Sequence, residues 1–339
     1  MIPGRRKTPR VQGGEMKRGL EAIARKWTVA GICVTFGVSL LTLFGAGCAR
    51  PRLGPTVRVS GAWALYPMMV RWAEEFRQTR PDVRIDVSAG GAGKGAADAL
   101  AGRADIGMVS REIHPDEIEQ GAFWIPVVKD AVFPTVNAQN PVLQDLMAKG
   151  VTKDTFIGIY ITGEIKTWGQ VVGKPEITDE IHVYTRSDAA GAPETWAKYL
   201  DKKQEDLLGV GVFGDPGLLE AVIKDPLGIG FNNLGYAYDN TSGKPVAGAF
   251  VLPIDNNANG QADPEELLET KTEAMEMVAQ GKYPSPPARA ENLVTNGKPT
   301  GLVQAFIEWV LTEGQAFVGE AGYVKLTQDQ LDASLKKIR

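Results

Sequence analysis

Three features of the chain predict an α/β fold of two lobes. Strand-like runs and amphipathic helical stretches alternate from Thr56 onward, the pattern of a largely parallel sheet with helices on its faces. An apolar run punctuated by prolines, residues 125–136, reads as a crossing from a first lobe into a second. Three glycine-containing turns, SGAWALYP (60–67), SAGGAGKG (88–95) and RSDAAGAPET (186–195), each stand between a strand-like run and a helix. A helix start leaves N–H groups unpaired and carries about half a positive charge, so three that converge would form a pocket for a small anion.

In chain order, residues 56–59 predict a short strand and 66–78 a helix, with Met69, Trp72, Ala73 and Phe76 at helical spacing. Arg80-Pro81 stops that helix. Residues 83–87 alternate as a strand does, the second glycine turn opens a helix through Leu100, and 105–109 is a third strand. Beyond the crossing, 156–161, 181–184 and 228–231 predict strands, and 193–200 and 216–223 predict helices. A last helical region, 301–318, with Leu302, Phe306, Trp309, Val310 and Phe317, is expected to pack back on the first lobe.

The first 47 residues read as an export signal: a basic segment, then an apolar run (28–46) ending in Gly45-Ala46-Gly47-Cys48. Small residues before Cys48 suit lipid attachment there, although Gly45 stands where Leu is usual. The same run is also long enough for an uncleaved membrane anchor, and Met16 is an alternative start. Eight of the 37 basic and two of the 41 acidic residues fall in this leader, leaving 29 against 39, a formal charge of −10. That balance argues against a nucleic-acid surface. With Cys33 in the leader and Cys48 lipidated, no thiol is left for a disulfide, zinc site or nucleophile.

GGAGKG lacks the first glycine and the hydroxyl residue of a phosphate-binding Walker loop, and GAGKGA lacks the acidic partner of a dinucleotide fold. Beyond the leader there are only two histidines, His114 and His182, and no GxSxG or HExxH motif, so catalysis is not expected. Residues 255–266 match a twelve-residue calcium loop: Asp255, Asn257 and Asn259 at positions 1, 3 and 5, Gly260 at 6, the Gln261 carbonyl at 7, Asp263 at 9 and Glu266 at 12. A strand at 250–254 is expected to enter this loop and a helix at 264–279 to leave it. The same pattern also suits an ion-free turn. A calcium here would be structural.

GAWALYP, ADIGMVSREI, RSDAAGAPETWAKYL, DPLGIGF and the tail TNGKPTGLVQAFIEWVLTEGQAFVGEAGYVKL resemble, in order and spacing, the extracytoplasmic phosphate-binding protein of ABC phosphate importers, over residues 57–326. The resemblance implies a two-lobed periplasmic-binding-protein-like (type II) fold, each lobe a mixed sheet flanked by helices. Lobe 1 is then 56–133 plus 288–339 and lobe 2 is 134–287, after a leader (1–47) and a tether (48–55). It implies a monomeric protein, lipid-anchored outside the cytoplasmic membrane or in the periplasm, that passes phosphate or another oxyanion to a permease. A sensor and a phosphoester-processing enzyme are the alternatives on the same fold.

Carried over, the anion-binding positions are Leu65, Tyr66, Ala92, Ser110, Arg186, Asp188, Ala190, Gly191 and Ala192; Ala64, Gly93 and Arg111, beside them at the turns, complete the candidate set on the chain's own residues. The chain departs from the family at Ala62, Ala64, Ala92, Ala190 and Ala192, where Ser or Thr hydroxyls are usual. Each bond to a charged group is worth about 1.5–3 kcal/mol, so three lost hydroxyls forfeit about 5–9 kcal/mol. Micromolar affinity is only about −8 kcal/mol. Either amides at Gly91, Gly93 and Gly191, with Lys94, Ser88, Ser187 or Arg111, replace them, or the ligand is a larger anion resting on Trp63 and Tyr66. In both cases Arg186 would grip the anion, with Asp188 orienting it or accepting a ligand proton.

Overall fold

A computed structural model describes residues 54–339. The leader and Cys48 lie outside the described residues, and no helix among those described is long and apolar enough to cross a membrane.

β1 (Thr56–Gly61) buries Val57 and Val59 and feeds α1 (Tyr66–Thr79), whose Met68, Met69, Trp72, Ala73 and Phe76 form one buried stripe. β2 (Arg84–Ala89), α2 (Ala92–Leu100) and β3 (Ile106–Val109) follow, with β2 and β3 on either side of β1 and parallel to it. Glycine permits the close fit of α2 on this sheet. A Cβ on Gly95 would stand 2.4 Å from the Met108 carbonyl oxygen, and one on Gly107 would stand 2.3 Å from that of Gly95. α3 (Pro115–Glu119) precedes the sixteen-residue β4 (Ala122–Asn137), which runs from one core to the other.

The second lobe contains α4 (Leu143–Lys149), α5 (Lys153–Ile157), α6 (Trp168–Val172), β5 (His182–Arg186), α7 (Gly191–Tyr199), β6 (Val210–Val212), α8 (Gly214–Lys224), β7 (Gly228–Asn233), α9 (Leu234–Ala237), β8 (Ala249–Val251) and α10 (Lys271–Ala279). The chain returns along β9 (Ala288–Asn296) and ends with α11 (Gly301–Leu311) and α12 (Gln328–Ile338). The strand order β2-β1-β3-β9-β4-β7-β5-β6 gives each lobe a parallel trio. The antiparallel pair β9 and β4 joins the two trios.

Two separate cores result. One gathers Trp72, Phe76, Met108, Ile125, Val128, Leu293 and Phe306; the other gathers Ala131, Phe133, Phe156, Trp196, Phe231 and Ala288.

Three sequence expectations are corrected. Residues 156–161 are α5 and a π-helical turn (Gly158–Thr162), because Phe156, Ile159 and Tyr160 share a helical face and Thr152 caps the Thr155 amide at 3.2 Å. The helix expected at 264–279 begins only at Lys271, where Thr270 and Glu273 form a reciprocal capping box. The last helical region breaks at Leu311 into a 3-10 turn, Glu313–Phe317.

Candidate functional site

The three glycine turns meet. The amides of Gly90 and Gly91 donate to the Gly61 carbonyl at 2.9 and 3.1 Å, fastening the second turn to the first. Gly93 N–H donates to the Ala189 carbonyl at 3.1 Å, joining the second turn to the third across the lobes. Ser110, just past β3, lies against the start of α7: a Cβ on Gly191 would fall 2.1 Å from its Oγ and 2.3 Å from its carbonyl oxygen. Gly91, the N-cap of α2, has φ 93°, a conformation that a side chain would strain. On the first turn, the Tyr236 hydroxyl, from α9, donates to the Trp63 carbonyl at 3.2 Å, and the Tyr323 hydroxyl donates to that of Ala64 at 2.6 Å.

At this junction the amides of Ala64, Leu65, Ala92, Gly191 and Ala192 find no acceptor among the described residues. They belong to buried residues. The alanines at 62, 64, 92, 190 and 192 are all buried too, and none of these positions offers a hydroxyl. Burying an unpaired amide is costly, which makes each a strong donor toward any anion admitted.

Arg186 stands behind them at the end of β5 with its side chain fully buried. Its Nε and Nη2 donate to Asp188 at 2.7 and 2.6 Å, and its Nη1 donates to Asp215 at 2.6 Å. Burial opposes this charge, but Asp215 and Asp188 outweigh it and hold the guanidinium above its ordinary range. Asp188 also accepts from the Gly214 amide at 3.2 Å. It is thus paired with the arginine, and most of its lone pairs are occupied.

Other expected donors are committed elsewhere. Arg111 is held by carboxylates: it makes a bidentate pair with Glu117 at 2.9 and 2.6 Å and reaches Glu194 of α7 at 3.0 Å. Lys94 binds Asp98 and Ser60, and the Ser88 hydroxyl donates to the Val59 carbonyl at 3.3 Å. Tyr66 packs at 6.5 Å from Trp63, which meets Phe213 of the other lobe edge-on at 6.1 Å. Cavities of about 340 and 840 Å³ flank the first turns of α7, one lined by Arg111, Arg289 and Asn292, the other by His114, Ser187 and Lys203.

Sequence reading missed Asp215, Asn233 and Arg289. Asp215 follows Gly214 (φ 76°) at the start of α8, a fourth strand-glycine-helix junction that the same rule would have found. Arg289 donates through Nε to the Ser110 carbonyl at 3.0 Å and also binds Asn233, which donates to Asp215 at 2.7 Å.

In the acidic loop, Asp255 accepts from the amides of Asn259 and Gly260 at 3.2 and 2.9 Å, and Glu266 accepts from those of Asn256 and Asp263 at 2.7 and 3.1 Å. Asn257 and Asn259 both donate to Asp263. Among the described residues no three His, Cys, Asp or Glu side chains converge as a metal-holding group, so an ion here would need Asn oxygens and the Gln261 carbonyl.

The family model for the PBP superfamily domain matches residues 48–313. The phosphate-binding protein PstS of Bacillus subtilis is 26% identical over 302 residues, covering 88% of this chain and 90% of that one. PstS of Methanocaldococcus jannaschii is 26% identical over 371 residues, covering 91% and 94%. A solved structure of a proposed phosphate ABC transporter substrate-binding protein from Clostridium perfringens, with bound phosphate, superposes at TM-score 0.66 with 24% identity, covering 80% of this chain and all of that one. These relatives are named as binding proteins and not as enzymes. The chain belongs to the PBP superfamily.

Proposed function

We propose that this chain is an extracytoplasmic lipoprotein that binds phosphate or a related oxyanion between its lobes and hands it to an ABC importer. The observation that carries this reading is the set of unpaired, buried amides at Leu65, Ala92, Gly191 and Ala192, contributed by helix starts of both lobes and backed by Arg186. Four bonds to a charged ligand at about 1.5–3 kcal/mol each supply about 6–12 kcal/mol before association costs. That offsets the missing hydroxyls and leaves micromolar binding within reach. The names of the matched relatives support phosphate as the ligand and a permease as the partner.

Calorimetry with inorganic phosphate, sulfate, phosphonates and phosphate esters tests the reading. Saturable binding of phosphate, one per chain, is expected; silence toward the whole panel would refute it. Replacing Cys48 by Ala should move the protein from the membrane to the soluble fraction, and an unchanged distribution would remove the lipid anchor. The loop at Asp255, Asn257, Asn259, Gln261, Asp263 and Glu266 is read as a calcium site of modest affinity, supported by its all-oxygen donor set and its two buried carboxylates.

A further inference from the structure

Charged side chains occupy the point where the two connecting strands leave one core for the other. On β4, Val128 belongs to the first core and Ala131 to the second, with Asp130 fully buried between them. On β9, Ala288 belongs to the second core and Leu293 to the first, with Arg289 and the fully buried Glu291 between. The strand register sets Asp130 opposite Arg289 and Val128 opposite Glu291.

Arg289 cannot satisfy both carboxylates. Its Nη2 comes within 3.1 Å of Glu291 Oε1, and its Nη1 within 3.5 Å of Asp130 Oδ2. Neither approach is aligned as a hydrogen bond, and both Glu291 oxygens and Asp130 Oδ2 lack hydrogen-bond partners. The other Asp130 oxygen accepts from the amides of Ala131 and Leu234 at 2.8 and 3.2 Å, so Asp130 is the better suited of the two to carry charge. The groups facing this pair are Arg289 on β9, Asp215 of α8 with its partner Arg186, Tyr236 of α9, Lys271 of α10, and Tyr323 before α12. Lys271 binds Asn240, and burial lowers its own pKa.

We infer that Glu291 is a proton-binding group at the hinge, uncharged in the folded chain, so that folding takes up a proton. A buried carboxylate whose oxygens receive no aligned hydrogen bond is costly to keep charged. Its nearest cation, Arg289, is drawn instead to Ser110 of one lobe and Asn233 of the other. Burial, opposed by Arg289 and reinforced by Asp130 and Asp215, raises the Glu291 carboxyl from its ordinary 4.5 to about 8. The sign follows: stability from this group is full below pH 4.5 and is lost as pH rises toward 8.

The test compares wild type with Glu291→Gln, without ligand, from pH 5 to 9. Relative to the variant, the wild-type unfolding constant should grow by up to roughly tenfold per pH unit across the lower part of this range. A wild-type-to-variant ratio that does not change with pH would overturn the inference. Infrared spectra of the wild-type protein alone should show a protonated carboxyl band at pH 6 that vanishes at pH 10. Its absence at pH 6 would overturn the inference even if the variant fails to fold.

Discussion

Arg186 and Arg289 are both buried arginines among carboxylates, yet their surroundings differ. Arg186 has one bidentate partner and one single partner, all at 2.6–2.7 Å. Arg289 has two loosely placed carboxylates with orphaned oxygens, while its well-made bonds go to a carbonyl and an amide. The first arrangement fixes a positive scaffold behind the unpaired amides. The second sits where the lobes hinge and leaves a charge balance that a proton can complete. A satisfied cluster supports position, and an unsatisfied one supports response.

Variants at Arg186 and Arg111 separate the scaffold from another carboxylate-held arginine. Arg186→Ala removes the scaffold and strands Asp188 and Asp215. Phosphate binding by calorimetry should weaken by about 2–5 kcal/mol, with a stability loss of about 3–5 kcal/mol in denaturant unfolding. Arg111→Ala, which frees Glu117 and Glu194 away from the amides, should destabilise the fold while changing phosphate affinity far less. Equal losses of affinity in the two variants would erase the distinction.

Gly191→Ala places a methyl group on Ser110 and should wedge the lobes apart, weakening phosphate binding by about 1–3 kcal/mol. Unaltered affinity would mean that Ser110 and α7 need not touch in the bound form. The smallest effect is expected from calcium. A chelator should lower the melting temperature by a few degrees, and Glu266→Ala should abolish that sensitivity. A melting temperature that ignores the chelator would leave the loop as an ordinary turn.

Much of the fold was legible because the parallel trio of lobe 1 obeys simple periodicity, with valines alternating along β1 and apolar residues at helical spacing along α1. The glycine turns were legible for a backbone reason, since Gly91 and Gly191 occupy places closed to larger residues. β9 was not read. Its inward positions include Glu291, Asn292 and Thr295, so the hinge chemistry hides the apolar alternation of a buried strand. Arg111 was named as a replacement donor, but its direction is not legible in sequence, and Glu117 and Glu194 capture its side chain. Asp130 and Arg289 lie far apart in the chain and meet only through the β4/β9 register.

The most direct measurement follows the backbone amide resonances of Leu65, Ala92, Gly191 and Ala192 while inorganic phosphate is added. If one anion is gripped by all of them, all four move together to lower field with one shared dissociation constant. Amides that stay fixed while phosphate perturbs only surface lysines would contradict it.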